Sequence, residues 1–207
     1  MSDGAQLQAK GIREFQRGDY EKATATFEEA ITAYEKEKNP ISIAEMKINL
    51  GLCHRETESY EKAIALMEEG LAVFREHEDK HREAQVLGNL ALAYSRQEND
   101  EQATTLYREA AALFREAGDD DNYGETVLAL ADLQFKSGNL VQAVGTFEAG
   151  LEHIRNPNQR QKMAKQLLVV KNRMLGQKKA EKSSDDDDQP TSDRRRRRSL
   201  RRKDKDG

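Results

Sequence analysis

Tryptophan is absent from this sequence, cysteine occurs once (Cys53), and there are only 3 prolines in 207 residues. Aromatic residues amount to 6 %. A single cysteine excludes an intrachain disulfide framework. Few aromatic residues argue against a β-rich fold, whose half-buried strands draw on aromatic and β-branched side chains. No run approaches the roughly 20 apolar residues that a helix needs to cross a bilayer, so no membrane span is expected. The opening Met1-Ser2-Asp3-Gly4 has neither the basic nor the apolar region of a secretory signal, which makes the cytoplasm the expected location. Phosphate-cradling loops are missing as well, since neither G-x-x-x-x-G-K nor G-x-G-x-x-G occurs.

Charge is plentiful: 35 % of residues are charged against 36 % hydrophobic, and the net charge is −4. Residues 183–207 hold 7 Asp and 9 Lys or Arg, a balance of +2, so the remainder carries −6. An acidic body does not grip nucleic acid by its field. The tail runs from Asp185–Asp188 to the arginines Arg194–Arg198, with Arg201, Arg202 and Lys203 beyond. With little to bury, residues 181–207 are expected to be disordered, acidic and then basic. A block of arginines suits nucleic acid, an anionic surface or, in a eukaryote, nuclear import. A solubilising tail is the plainer alternative.

The dominant feature is a 40-residue repeat. Ala23, Ala63, Ala103 and Ala143 share a register; so do Ala30, Gly70, Ala110 and Gly150, and Gly11, Gly51, Ala91 and Ala131. Between the small residues stand Phe27, Met67, Tyr107 and Phe147, also 40 apart. In the first unit Ala23, Phe27, Ala30, Ile31 and Tyr34 follow i, i+4, i+7, i+8, i+11, an amphipathic helical stripe. Small residues let two antiparallel helices approach where they cross, and the large one fills the space beside them. No unit can bury its stripe alone, so stacked neighbours must supply the core. The spacing predicts helix pairs in units near 4–40, 41–80, 81–120 and 121–158, then an amphipathic capping helix over 159–180. The N-terminal end shows no dedicated cap.

The first unit reads Gly11-x3-Phe15-x2-Gly18-Asp19-Tyr20-x2-Ala23-x3-Phe27-x2-Ala30, and the others give Leu50-Gly51, Leu90-Ala91-x2-Tyr94 and Gly138-Asn139-Leu140-x2-Ala143-x3-Phe147. This pattern resembles the tetratricopeptide repeat (TPR), in the long 40-residue form of kinesin light chains and Leu-Gly-Asn-repeat adaptors. The usual period is 34, and the family's proline after the second helix is replaced by Glu35, Arg75, Arg115 and Arg155. The resemblance implies an all-α, right-handed α-solenoid of four TPR helix pairs plus a C-terminal capping helix. It also implies a non-catalytic interaction scaffold or adaptor, needing no cofactor, that binds a protein or peptide partner on its concave face.

Carried onto this sequence, that face comprises Ile12, Phe15, Asn49, Leu52, Arg55, Asn89, Leu92, Arg96 and Phe135. Ile12, Leu52 and Leu92 would form an apolar strip. The Asn49 and Asn89 amides could read a peptide backbone with both donors and acceptor, or could instead bridge neighbouring helices. Arg55 and Arg96 would suit an acidic partner. The clamp for chaperone C-termini fails, because Gln8 and Ile12 stand where it needs Lys and Asn. His77-x3-His81 spans a charged linker. The stretch starting at Asp119 lacks a calcium loop's ligands at Tyr123 and Leu130. Cys53 and His54, adjacent on a helix, point about 100° apart and form no nucleophile–base pair. Alternative functions are binding of nucleic acid or an anionic surface through the tail, with the array as spacer, and a peptide-sensing regulator. Self-association through the first helix or the cap is a further expectation.

Overall fold

The computed structural model describes residues 2–159 and 161–169. The predicted capping helix beyond residue 169 and the tail at 181–207, with its arginines, lie outside the described residues. The chain divides into two compact units, Met1–Pro157 and Asn158–Gly207. In the second, residues 161–169 are helical. That helix opens with a reciprocal cap: the Gln161 N–H donates to Asn158 Oδ1 at 3.0 Å, and the Asn158 N–H to Gln161 Oε1 at 2.8 Å.

The first unit is an all-α solenoid of α1 (Asp3–Gln16), α2 (Tyr20–Lys36), α3 (Pro40–Glu56), α4 (Tyr60–Glu76), α5 (Lys80–Arg96), α6 (Asp100–Glu116), α7 (Asp120–Lys136) and α8 (Leu140–His153). Each helix packs on the one before and the one after it. The turns recur every 20 residues, at half the sequence repeat. Gly18, Lys38, Glu58, Glu78, Glu98, Gly118 and Gly138 all have positive φ, between 53° and 80°. Each turn closes the same way. The Gly18 N–H donates to the Phe15 carbonyl and the Asp19 N–H to the Glu14 carbonyl, a Schellman stop. The residue that ends one helix also begins the next. At Asn39, Asp79, Asn99 and Asp119 the side chain accepts a backbone N–H three residues on. This dual use makes the turns so short.

Two of these caps are titratable. The Arg82 backbone N–H donating to Asp79 holds its carboxyl below the usual range, and the Asn122 side-chain amide does the same for Asp119. A depressed folded value means that this stabilisation is complete above the unfolded carboxylate pKa of about 3.9 and is lost as pH falls through the folded value. Asp79→Ala and Asp119→Ala should each cost about 1 kcal/mol at pH 7. In urea titrations the gap to the parent protein should begin to narrow below about pH 4; a gap that does not narrow at all as the pH is lowered further would refute the charged cap.

The core is the repeat register made solid. Ala23, Ala63, Ala103 and Ala143 are buried, as are Ala30, Gly70, Ala110 and Gly150. Phe27, Met67 and Tyr107 are buried beside them, whereas Phe147 on the terminal helix is only half-buried. Gly11 shows why its row is small: a Cβ there would lie 2.6 Å from the Phe27 ring. Among the described residues no separate element caps the N-terminus, and α1 is built to tolerate that exposure. Met46, Leu50 and Cys53 of α3 are buried against α2, and their counterparts in α5 and α7 are buried too. The equivalent positions of α1 are Gln6, Lys10 and Arg13, all exposed. Polar side chains at the stacking positions make α1 its own cap.

Candidate functional site

The first helix of each pair lines one face of the array, and a cavity of about 650 Å³ opens on it. Ile48 and Leu52 of α3 and Leu92 of α5 give an apolar floor, joined by Phe74 of α4 and by Tyr107 and Phe114 of α6. The three aromatic rings come from second helices and reach between the first helices. Amide side chains stand round the rim: Gln8, Asn49, Gln85, Asn89 and Asn122.

A polar ladder fixes one wall across three repeats. The Tyr34 hydroxyl donates to Gln8 Oε1 at 2.6 Å, and the Gln8 amide donates to Glu45 at 3.4 Å. Glu45 pairs with Arg82 at 3.0 Å; Arg82 in turn pairs with Asp79 at 2.6 Å and lies 5.7 Å from the centre of the Phe74 ring. Partly exposed pairs of this kind add little stability, about 0–1 kcal/mol each. Their effect is to hold Gln8, Glu45 and Arg82 in fixed positions on the wall.

The two asparagines of equivalent register differ. Asn89 is engaged on both sides of its amide: Oδ1 accepts from Arg55 at 3.1 Å and the NH₂ donates to the Gln85 carbonyl at 3.0 Å. Asn49 is half-buried, and its carboxamide has no hydrogen-bond partner among the described residues. The Tyr107 hydroxyl likewise has none; desolvation pushes its pKa up to about 12, so it is a neutral donor at any working pH. A donor and acceptor at Asn49 and a donor at Tyr107 therefore face the cavity unspent.

Of the nine sequence-predicted site residues, Ile12, Asn49, Leu52, Asn89 and Leu92 line this cavity. Phe15 packs edge-on against Tyr20, ring centres 5.4 Å apart, beside the α1–α2 turn. Arg55 is tied to Glu56 at 2.7 Å and to Asn89, buttressing the site from beside it. Arg96 is exposed beyond the cavity. Phe135 is 65 % exposed at the end of α7, away from it. Sequence reasoning missed Phe74, Tyr107 and Phe114 as floor residues. Their signal was present: they lie in the large-residue rows of the second helices, which read simply as core.

The other sequence candidates resolve into structure. His77 caps α4 and its ring lies 2.9 Å from the Val73 carbonyl, while His81 sits in α5 against Asp119. A turn separates the two, so they share no helical face. Asp119 caps α7, Asp120 pairs with Arg155 at 2.6 Å and Asp121 accepts the Arg155 N–H. Burial raises the Cys53 thiol pKa, which makes it less reactive. Among the described residues no group of three or more His, Cys, Asp or Glu is arranged to hold a metal. No helix among them is long and apolar enough to cross a membrane.

A family model described as tetratricopeptide repeat matches residues 42–116 and again 82–156. No curated protein matches the sequence. Among solved structures, a putative kinesin light chain from Podosopora anserina with nearly identical TPR-like repeats is 16 % identical, with a TM-score of 0.63 over 87 % of this chain and 95 % of that one. Aspartyl phosphate phosphatase F from Bacillus subtilis is 14 % identical, TM-score 0.69, over 72 % of this chain and 39 % of that one. The Rap conjugation gene regulator of plasmid pLS20, in complex with the Phr* peptide, is 17 % identical, TM-score 0.64, over 71 % and 41 %. At these identities the likeness is one of fold. The chain spans less than half the length of the latter two proteins.

Proposed function

The chain belongs to the tetratricopeptide-repeat family, and from that premise we propose that its groove binds an extended or helical segment of a partner protein, with no catalytic step of its own. The observation that carries this reading is the groove itself. It pairs an apolar floor with a rim amide at Asn49 and a floor hydroxyl at Tyr107 that have no hydrogen-bond partner among the described residues. Such a surface can bury a few apolar side chains while an amide answers the backbone between them. A fold neighbour solved in complex with a peptide supports a peptide-sized ligand, and the phosphatase among the fold neighbours makes that chemistry the competing reading. The array would act as a scaffold or adaptor.

Affinity capture with the full chain, quantified by mass spectrometry, tests the reading. Asn49→Ala combined with Leu52→Asp removes the free amide and charges the floor. Each lost hydrogen bond is worth about 1 kcal/mol and a charged floor costs more, so partner recovery should fall at least about tenfold. Helical circular dichroism should stay unchanged. Undiminished recovery by this variant would move the binding site elsewhere.

A further inference from the structure

The outer face of the fourth unit departs from the other three. Along the second helix of each pair, the solvent row reads Glu21-Ala25-Glu29, Glu61-Ala65-Glu69 and Glu101-Thr105-Glu109 in α2, α4 and α6. In α8 the same row reads Val141-Gly145-Ala149. All twelve positions are exposed, including those in the internal units that have neighbours on both sides. Stacking of repeats therefore does not use this row, and the end of the solenoid does not explain its change. Val141 is 92 % exposed; beside it Val144, Leu140 and Phe135 are exposed where their counterparts in the internal units are half-buried or buried, which is the effect of the array's end. The change is one of charge as well. Residues 133–151 contain two charged side chains, Lys136 and Glu148, where the equivalent spans starting at 13, 53 and 93 contain eight, seven and six. At Gly145 a Cβ would meet nothing within 4 Å among the described residues, so their packing does not call for a glycine in the middle of this helix.

The geometry points to this face as a self-association surface: α8 of one copy crosses α8 of a second copy of this chain about a two-fold axis near Gly145. The occupant is chosen by charge. Outside its last 25 residues the chain carries −6, so a contact between two copies costs least on a face that adds no opposed carboxylates. A two-fold contact also sets a row against itself, and the rows of the first three units would oppose carboxylates to carboxylates. Glu69 and Glu109 pair with Lys47 and Arg75, but those pairs are exposed and leave Glu21, Glu29, Glu61 and Glu101 along the same rows. Only the fourth row presents no charge of its own. Its glycine lets two backbones approach, and Val141 and Ala149 on each side gain burial. In the antiparallel arrangement Glu152 of one copy comes to the end of α8 where Lys136 of the other lies. This inference is independent of what the groove binds.

The test restores to α8 the residues that its own sister helices carry. Sedimentation of the full chain at about 100 µM should show a dimer, as expected for a Kd near 10 µM. Val141→Glu with Ala149→Glu should weaken that dimer by about tenfold or more while leaving helical content and melting unchanged. Since Cys53 is buried, Gly145→Cys should form a disulfide-linked dimer on mild oxidation, and Ala65→Cys in the equivalent place on α4 should not. A monomer at that concentration would overturn the inference, as would a dimer unaffected by the two glutamates or equal cross-linking at both cysteines. Any of these results would give α8 another occupant.

Discussion

Phe27→Ala should cost about 3–5 kcal/mol, a large share of the stability of a chain this size. The ring is 1 % exposed, and Gly11 lies directly against it, with no side chain to fill the space that truncation opens. Phe147 is its sequence equivalent 120 residues on, yet it is only half-buried, because it lies on the last helix of the array. Phe147→Ala should therefore cost about half as much, since less apolar area returns to water. Unfolding in urea followed by circular dichroism reads both losses. Repeat arrays are stabilised by neighbours, so the Phe27 variant should also melt its first unit early and broaden the transition. Equal losses at the two positions would contradict the burial gradient.

Two glycines should answer an alanine in opposite directions. At Gly124 a Cβ would lie 2.9 Å from the Gly150 carbonyl oxygen and 2.8 Å from Ile154 Cγ1. A backbone oxygen cannot swing aside, so α7 and α8 would have to separate, and Gly124→Ala should cost about 1–3 kcal/mol. At Gly145 a Cβ would meet none of the described residues, so alanine only improves the helix. Gly145→Ala should stabilise the monomer by up to about 1 kcal/mol, measured at concentrations too low for self-association. Denaturant midpoints decide it. Changes of the same sign would mean that the α7–α8 crossing is looser than the contact at Gly124 implies.

The repeat register was legible because it serves a single physical need. Where two helices cross, Ala23, Ala30 and Gly11 must be small and Phe27 large, and the same demand recurs every 40 residues. The finer 20-residue period was also in the sequence, as Asp19, Asn39, Ser59, Asp79, Asn99, Asp119 and Asn139. It was easy to overlook because the preceding left-handed position is glycine at only three of the seven turns. The groove was half legible. Positions sharing a face with Ile12, Leu52 and Leu92 could be read from helical spacing. Arg55 and Phe135 lie further round their helices and fell outside the cavity, as did Arg96. Phe74, Tyr107 and Phe114 could not be placed by spacing on the first helices, since they enter from the second.

Sequence alone determined the helical class, the 40-residue unit and the residues that must be small, since each of these follows from local periodicity and side-chain size. It also determined that the fourth outer row is uncharged, although its meaning depends on that row being exposed. The tertiary structure decided which of two like asparagines is spent and which is free. Asn49 and Asn89 have the same register, but only Asn89 lies within reach of Arg55, a residue 34 positions away that stacking of the second and third repeats brings alongside. Hydrogen bonds between repeats depend on the side chains that a neighbouring unit offers, and a pattern read within one unit contains no term for them.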